Sequence, residues 1–276
     1  MRNLIDTHNH CEFSFDGKRT TAHRSAQSAF DKGLDGIVFT DHYDIYIPEV
    51  LGETVPRPQD FDIKAQQTEI ERVDGLFPES FKVLKGIEIG MNQHSLEEAR
   101  ILISSHSFDQ VIASVHYLDD SDPYYGAYFN GRDFKQAYGL YLETIFREMI
   151  LLQDFDIAGH FDYVARYAPY PQDSIKYRDF SDIFDSLFRF LIENGKGLEL
   201  NTKSCAGGRR GRQVVRDHNV LLRYKELGGE IISLGSDSHS PAHVAEGFRY
   251  HADLLRSLGF RWSSHYEKRQ LVQLPL

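Results

Sequence analysis

Seven short apolar runs recur along this chain, at 3–5, 36–40, 82–89, 110–115, 156–158, 197–200 and 230–234, with longer amphipathic stretches between them. Runs of this length, apolar throughout, mark strands buried on both faces of a parallel sheet. Strand-then-helix order implies right-handed crossovers, and about seven such units favour a closed barrel over an open sheet. The helical stretches carry start and stop signals. Thr20 or Thr21 is placed to cap a helix whose Ala22, Ala26, Ala29 and Phe30 share one face, with Gly33 to end it. Ser181 is expected to cap the stretch carrying Ile183, Phe184, Leu187, Phe188, Leu191 and Ile192, and Ser240-Pro241 to open the last long helix, which stops near Gly259. Residues 44–60 and 119–133 read as long loops after the second and fourth strands. No repeat or linker divides the chain, so residues 1–276 are read as one domain.

The first polar residues after each run are the ones a parallel barrel would bring to its mouth. They are alike: Asp6-Thr-His8-Asn-His10, Asp41-His42, Glu88, His116, His160-Phe-Asp162, Glu199-Leu-Asn201 and Asp237-Ser-His239. Successive sites lie about one strand–helix unit plus loop insertions apart. His-x-His on an extended segment puts both imidazoles on one side, and Asp-x-His after the seventh strand is expected to do the same. Glu88 has two oxygens and could bridge two ions. Mixed imidazole and carboxylate ligands suit zinc, iron or manganese better than calcium or magnesium. The other seven histidines, His23, His94, His106, His218, His243, His251 and His265, are read as solvated or structural. Cys11 follows His10 directly, so its side chain should point away from the imidazoles.

Composition narrows the partners. The 41 acidic against 31 basic residues give a formal charge of -10, which argues against a long nucleic acid held by a basic face. Two cysteines, Cys11 and Cys205, make no disulfide framework and point to a reduced compartment. The opening residues do not read as a targeting signal, and no apolar run approaches the roughly 20 residues needed to cross a bilayer. A cytoplasmic protein of open oligomeric state, with no membrane partner, is expected.

The motifs D6-T-H8-x-H10 with Asp16, T40-D41-H42, G86-I-E88, S114-V-H116, G159-H160-F-D162, L198-E-L-N201 and S236-D-S-H239 together resemble those of the PHP (polymerase and histidinol phosphatase) family, over nearly the whole chain. Within that family the chain is similar to the monofunctional histidinol-phosphate phosphatases. The resemblance implies an α/β fold, a distorted TIM-like (β/α)7 barrel with three divalent transition-metal ions (Zn, Fe or Mn) at the C-terminal face of the strands. It implies a first metal on His8, His10, Glu88 and Asp237, a second on Glu88, His116 and His160, and a third on Asp16, His42 and His239. Asp16 is histidine in some members, which bears on the third site. Hydroxide held between two ions would attack phosphorus in line, with Asp237 beside it to handle protons.

The small phosphorylated substrate also needs protein cations. Lys203, Arg166 and the run Gly207-Gly-Arg209-Arg210-Gly-Arg212 lie after strands on the same face, with Lys18 and Arg19 a further option. Asp162 is the acidic partner expected for an imidazole-bearing amino alcohol, or else the acceptor that orients the His160 ring. Glu199 and Asn201 fall behind the ligands or in the substrate pocket. Three other readings stay open: a phosphoesterase on another small monoester, a cyclic diester or a short oligonucleotide; an amidohydrolase-like barrel; and metal storage or sensing.

Overall fold

The strands form where the apolar runs predict, four of them ending one to four residues nearer the polar motifs. A computed structural model describes residues 1–17, 19–44, 62–118, 121–206 and 212–276. β1 (Ile5–Asn9), β2 (Gly36–Phe39), β4 (Lys82–Gly90), β5 (Gln110–Ser114), β6 (Ile157–Ala158), β7 (Gly197–Asn201) and β8 (Ile232–Gly235) pair in that order, each parallel to the next. A further short strand, β3 (His42–Tyr43), pairs with the far half of β4, His42 opposite Glu88. β1 starts at Ile5 and runs on through His8, because the polar residues of D-T-H-x-H still join the ladder to β2.

The sheet curls until β8 returns to β1, and side chains with one backbone bridge close the seam. The Asp6 carboxylate accepts from Ser236 N at 2.9 Å, Ser236 Oγ at 2.6 Å and Ala245 N at 2.7 Å. Thr7 Oγ1 donates to the Leu234 carbonyl at 2.8 Å, and His10 N to the Ser238 carbonyl at 2.8 Å. Burial pushes the Asp6 carboxyl up to about 6 against these hydrogen bonds. The result is a nearly closed parallel barrel of seven strands, with helices between them.

Thr21 caps α1 (Ala22–Asp31) by accepting from Arg24 N. Asp62 caps α2 (Ile63–Asp74), and α3 (Leu96–Ser105) follows β4. An Asp133/Gln136 capping box opens α4 (Phe134–Leu152). After the short α5 (Tyr163–Tyr167), α6 (Ser181–Glu193) starts with Ser181 already inside the helix and Phe180 at the cap position, so the expected Ser181 cap is corrected. The helix forms without it because Phe184, Leu187, Phe188 and Leu191 share one buried face, each contributing roughly 2 kcal/mol. α7 (Lys203–Ala206) and α8 (His218–Glu226) flank the gap before β8. Ser240-Pro241 opens only a single 3-10 turn; α9 (Phe248–Ser257) starts seven residues after Pro241, behind Gly247 at φ 76°.

Two small clusters fill the barrel interior. Ile5, Val38 and Leu84 pack with Leu274, and Ile112 and Ile157 pack with Tyr266 and Ile231. Leu274 and Tyr266 belong to an antiparallel hairpin that the apolar runs did not signal, β9 (Trp262–Glu267) and β10 (Gln270–Pro275). The hairpin covers the end where the strands begin: Arg269 pairs with Asp156 at 2.6 Å and Asp154 at 2.8 Å, and Lys268 N donates to Asp109. Of the first expected long loop only Asp44 is described. In the second, Pro123–Tyr125 and Ala127–Phe129 form 3-10 turns.

Candidate metal centre

At the opposite end, where the strands stop, the motif residues meet around Glu88. β4 carries this carboxylate inward, fully buried. Its Oε2 lies 3.3 Å from His8 Nε2, 3.7 Å from His10 Nε2 and 2.8 Å from His42 Nδ1. Its Oε1 lies 3.0 Å from His160 Nε2 and 3.4 Å from His116 Nε2, and accepts from Ser114 Oγ at 2.6 Å. His10 Nε2 is also 3.5 Å from Asp237 Oδ1. Farther out, Asp16 Oδ2 is 2.8 Å from His239 Nε2 and 3.7 Å from His42 Nε2. The nine residues expected as ligands therefore come together in three overlapping groups. Cys11 does turn away, its thiol donating to Asp41 at 3.1 Å.

One expectation about backbone shape is corrected. Asp237-Ser-His239 is not extended like His8-Asn-His10, because Asp237 takes φ 50°, in the left-handed region. A non-glycine residue there costs about 1 kcal/mol, and such strain gathers at functional sites. Arg166 Nη1 and Lys203 Nζ, each 2.9 Å away, hold the Asp237 carboxylate.

The charges sort the rings. Burial would raise Glu88, but His8, His42 and His116 around it keep it well below the usual carboxylate range. Asp237 is likewise held down, against burial, by Lys203, His10 and Arg166. Desolvation opposes ionisation of Asp16, yet His239 and His42 keep it ionised. Burial and the neighbouring His42 and His239 push His10 down, and burial pushes His160 down, so both rings favour the neutral form with a free lone pair. His8 and His116 go up despite burial, through Glu199 and Glu88 for the first and Asp44 and Glu88 for the second.

These donors fit a divalent cation. His8 Nε2, His10 Nε2, His42 Nδ1 and Glu88 Oε2 are buried, and close as they lie to one another, none of their approaches has hydrogen-bond geometry. Unpaired buried acceptors facing one another are costly, and a shared cation relieves them all. Ligand atoms of His8/His10/Glu88, of His42/Glu88/His116 and of His10/His42/His239 each lie within 4.8 Å of one another.

Behind the ligands stand residues that the motifs only half revealed. Glu199 Oε1 lies 2.6 Å from His8 Nδ1, its Oε2 accepts from His160 N, and Asn201 Nδ2 reaches both oxygens at 3.3 Å. Asp44, 2.9 Å from His116 Nδ1, was hidden in an acidic, Pro-rich loop; its only signal was period-two spacing from His42. Ser14 Oγ lies 3.1 Å from His10 Nδ1.

The substrate-binding expectations divide. Lys203 reaches the cluster and keeps a third of its side chain exposed. Arg166 is buried, with Nη2 unpartnered. Asp162 does not orient His160: it accepts from Ser204 Oγ at 2.6 Å, lies 3.5 Å from Arg216 and is buried. Asn201 is buried too, its Nδ2 donating to Glu199 and, at 3.4 Å, to Asp237. Arg209, Arg210 and Lys18 lie outside the described residues.

A family model for the PHP domain matches residues 6–203. The chain belongs to the PHP domain family. Among PHP relatives, the histidinol-phosphatase of Lactococcus lactis subsp. lactis (strain IL1403) is 33% identical over 259 residues, covering 93% of this chain and 91% of its own. A probable histidinol-phosphatase of Clostridium acetobutylicum is 31% identical, covering 89% and 90%. The crystal structure of a Lactococcus lactis histidinol phosphate phosphatase, complexed with zinc, L-histidinol and phosphate, superposes with a TM-score of 0.87 at 28% identity, over 99% of this chain and all of that one. This PHP chain thus shares its fold along its whole length with that enzyme. Among the described residues no helix is long and apolar enough to cross a membrane.

Proposed function

We propose that this chain is a metal-dependent phosphatase that hydrolyses L-histidinol phosphate to L-histidinol and inorganic phosphate, acting as one domain over residues 1–276 in the cytoplasm. Glu88 carries the reading: each of its oxygens faces its own set of imidazoles. The zinc, L-histidinol and phosphate in the Lactococcus lactis enzyme supply the substrate class. The ligand sets are His8, His10, Glu88 and Asp237; Glu88, His116 and His160; and Asp16, His42 and His239, for zinc, iron or manganese. Bound there, divalent ions supply positive charge for the phosphate oxygens and acidify the attacking water.

The chain's own residues do the rest. Asp237 is held ionised against burial by Lys203, His10 and Arg166, so at the cluster it serves as a negatively charged hydrogen-bond acceptor that orients the attacking water. Lys203, partly exposed, bonded to Asp237 and 3.1 Å from His239 Nδ1, is placed to take a phosphate oxygen. Arg166 has one unpaired Nη2 for the same purpose. Tyr163 stacks on His160 at 5.3 Å and meets Tyr167 edge-on at 5.1 Å, and Tyr167 meets Tyr124 at 5.2 Å. This aromatic wall beside the second ligand set suits an imidazole-bearing alcohol.

The test is turnover by metal-replete protein, with elemental analysis of the same preparation, on L-histidinol phosphate, nucleotides, sugar phosphates and an aryl diester. Selective hydrolysis of L-histidinol phosphate is expected. Preference for a diester or another monoester would overturn the substrate, and inertness on every ester would overturn the function.

A further inference from the structure

Two buried carboxylates stand behind the cluster in equivalent ways. Glu199 Oε1 sits 2.6 Å from His8 Nδ1, and Asp44 Oδ1 sits 2.9 Å from His116 Nδ1. The other nitrogens of those two rings face opposite oxygens of Glu88, at 3.3 Å and 3.4 Å. His160 also faces Glu88, but its Nδ1 is buried with no partner at all.

Each carboxylate occupies space that exists only because a glycine lies against it. A Cβ on Gly235 would fall 2.3 Å from Glu199 Oε1 and 2.6 Å from the His8 Cβ. A Cβ on Gly90 would fall 1.8 Å from Asp44 Oδ1 and 2.6 Å from its Cγ. Neither glycine has a positive φ, so the backbone does not require glycine at either place; the carboxylate does. Gly90 also lies on the strand that carries Glu88, so one strand provides both the central carboxylate and the room behind a neighbouring ligand.

We propose that Gly90–Asp44–His116 and Gly235–Glu199–His8 are two matched positioning devices, each glycine seating a carboxylate that holds its imidazole with Nδ1 protonated and Nε2 aimed at Glu88. A carboxylate on Nδ1–H fixes the tautomer and ring angle and makes Nε2 a better donor to a cation. The two devices support one imidazole on each side of Glu88, which His160 lacks. This inference rests on the metal centre proposed above.

Zinc affinity of the stripped protein is measured by competition with a chromophoric chelator for the wild type, Asp44→Asn, Glu199→Gln, Gly90→Ala and Gly235→Ala. The melting temperature of each metal-free protein reads the fold separately. Each substitution is expected to weaken zinc binding by roughly 10- to 100-fold. In an Asp44→Ala background, Gly90→Ala should add no further loss, because the new methyl has no carboxylate to displace. Gly36→Ala, whose Cβ would meet the Lys82 carbonyl at 2.6 Å, should lower the melting temperature and leave zinc affinity alone. Unchanged affinity in the four variants would overturn the inference, as would an equal effect of Gly90→Ala with and without the Asp44 carboxylate. Should an alanine variant fail to fold, the near-isosteric Asp44→Asn and Glu199→Gln decide. A wild type that binds no zinc would overturn the centre itself, and this inference with it.

Discussion

The two ends of the barrel treat the same problem in opposite ways. Where the strands begin, the buried carboxylates of Asp109 and Asp156 are paired. Asp109 accepts from Lys85 N and Lys268 N, Asp156 accepts from Val111 N and Arg269, and the hairpin drives Tyr266 and Leu274 into the interior. Where the strands stop, His8, His10, His42 and Glu88 keep buried nitrogens and oxygens without hydrogen bonds. The first end commits these two carboxylates to stability. The second holds its polar groups in reserve for a ligand, and the fold tolerates this because the first end is sealed.

The strongest way to break this contrast is at Glu88. Glu88→Ala is expected to lose bound metal and to lower turnover by more than about 100-fold, while His94→Ala changes neither. Metal analysis and steady-state rates on both variants check this; near-normal turnover without Glu88 would remove the functional end from the comparison. At the sealed end, Tyr266→Ala should cost about 3 kcal/mol of unfolding free energy in urea. Zinc affinity of the folded protein should be unaffected, and a parallel loss of zinc would mean that the two ends are not separable.

A pH series sharpens the same point. Burial raises the Asp156 carboxyl from 3.8, and Arg269 opposes the rise. In Arg269→Met the folded-state value goes higher still. Its penalty is absent below the unfolded value near 3.8 and grows as pH rises toward the folded one, where the carboxylate must ionise unpaired. The variant should match the wild type at about pH 3.5 and fall below it by about 2 kcal/mol at about pH 7.5, measured by urea melts. The smallest effect is expected at the mouth. Lys203→Met should raise KM for L-histidinol phosphate about 10-fold, with metal content intact. An unchanged KM would take Lys203 out of the site.

How much of the molecule was legible in the sequence follows the same division. The mouth was readable because apolar runs ending in His, Asp or Glu recur about one strand–helix unit plus insertions apart, and a parallel barrel brings every such ending to the same rim. Asp44 escaped because a carboxylate in an acidic, Pro-rich stretch looks like solvated loop. Ser240-Pro241 misled because a capping pair specifies a turn, and the turn did not continue as a helix. The sealing hairpin was invisible for a definite reason. A two-residue turn is normally announced by Asn-Gly or Asp-Gly, whereas here Lys268 and Arg269 take φ values of 51° and 63°. Tertiary bonds from Asp109, Asp154 and Asp156 hold them there, and no local pattern announces such bonds.

The seam between β1 and β8 sets a timetable for the protein's synthesis. Asp6 and Ser236 are 230 residues apart, and His8 and Asp237 stand on either side of the same join. A growing chain therefore has its first two imidazoles long before it has the carboxylate and ring that arrive with the last strand. Until β8 leaves the ribosome the barrel is an open sheet with two unpaired edges, β1 and β7. Of the three ligand sets proposed above, the first and third can be completed only once that strand has been made.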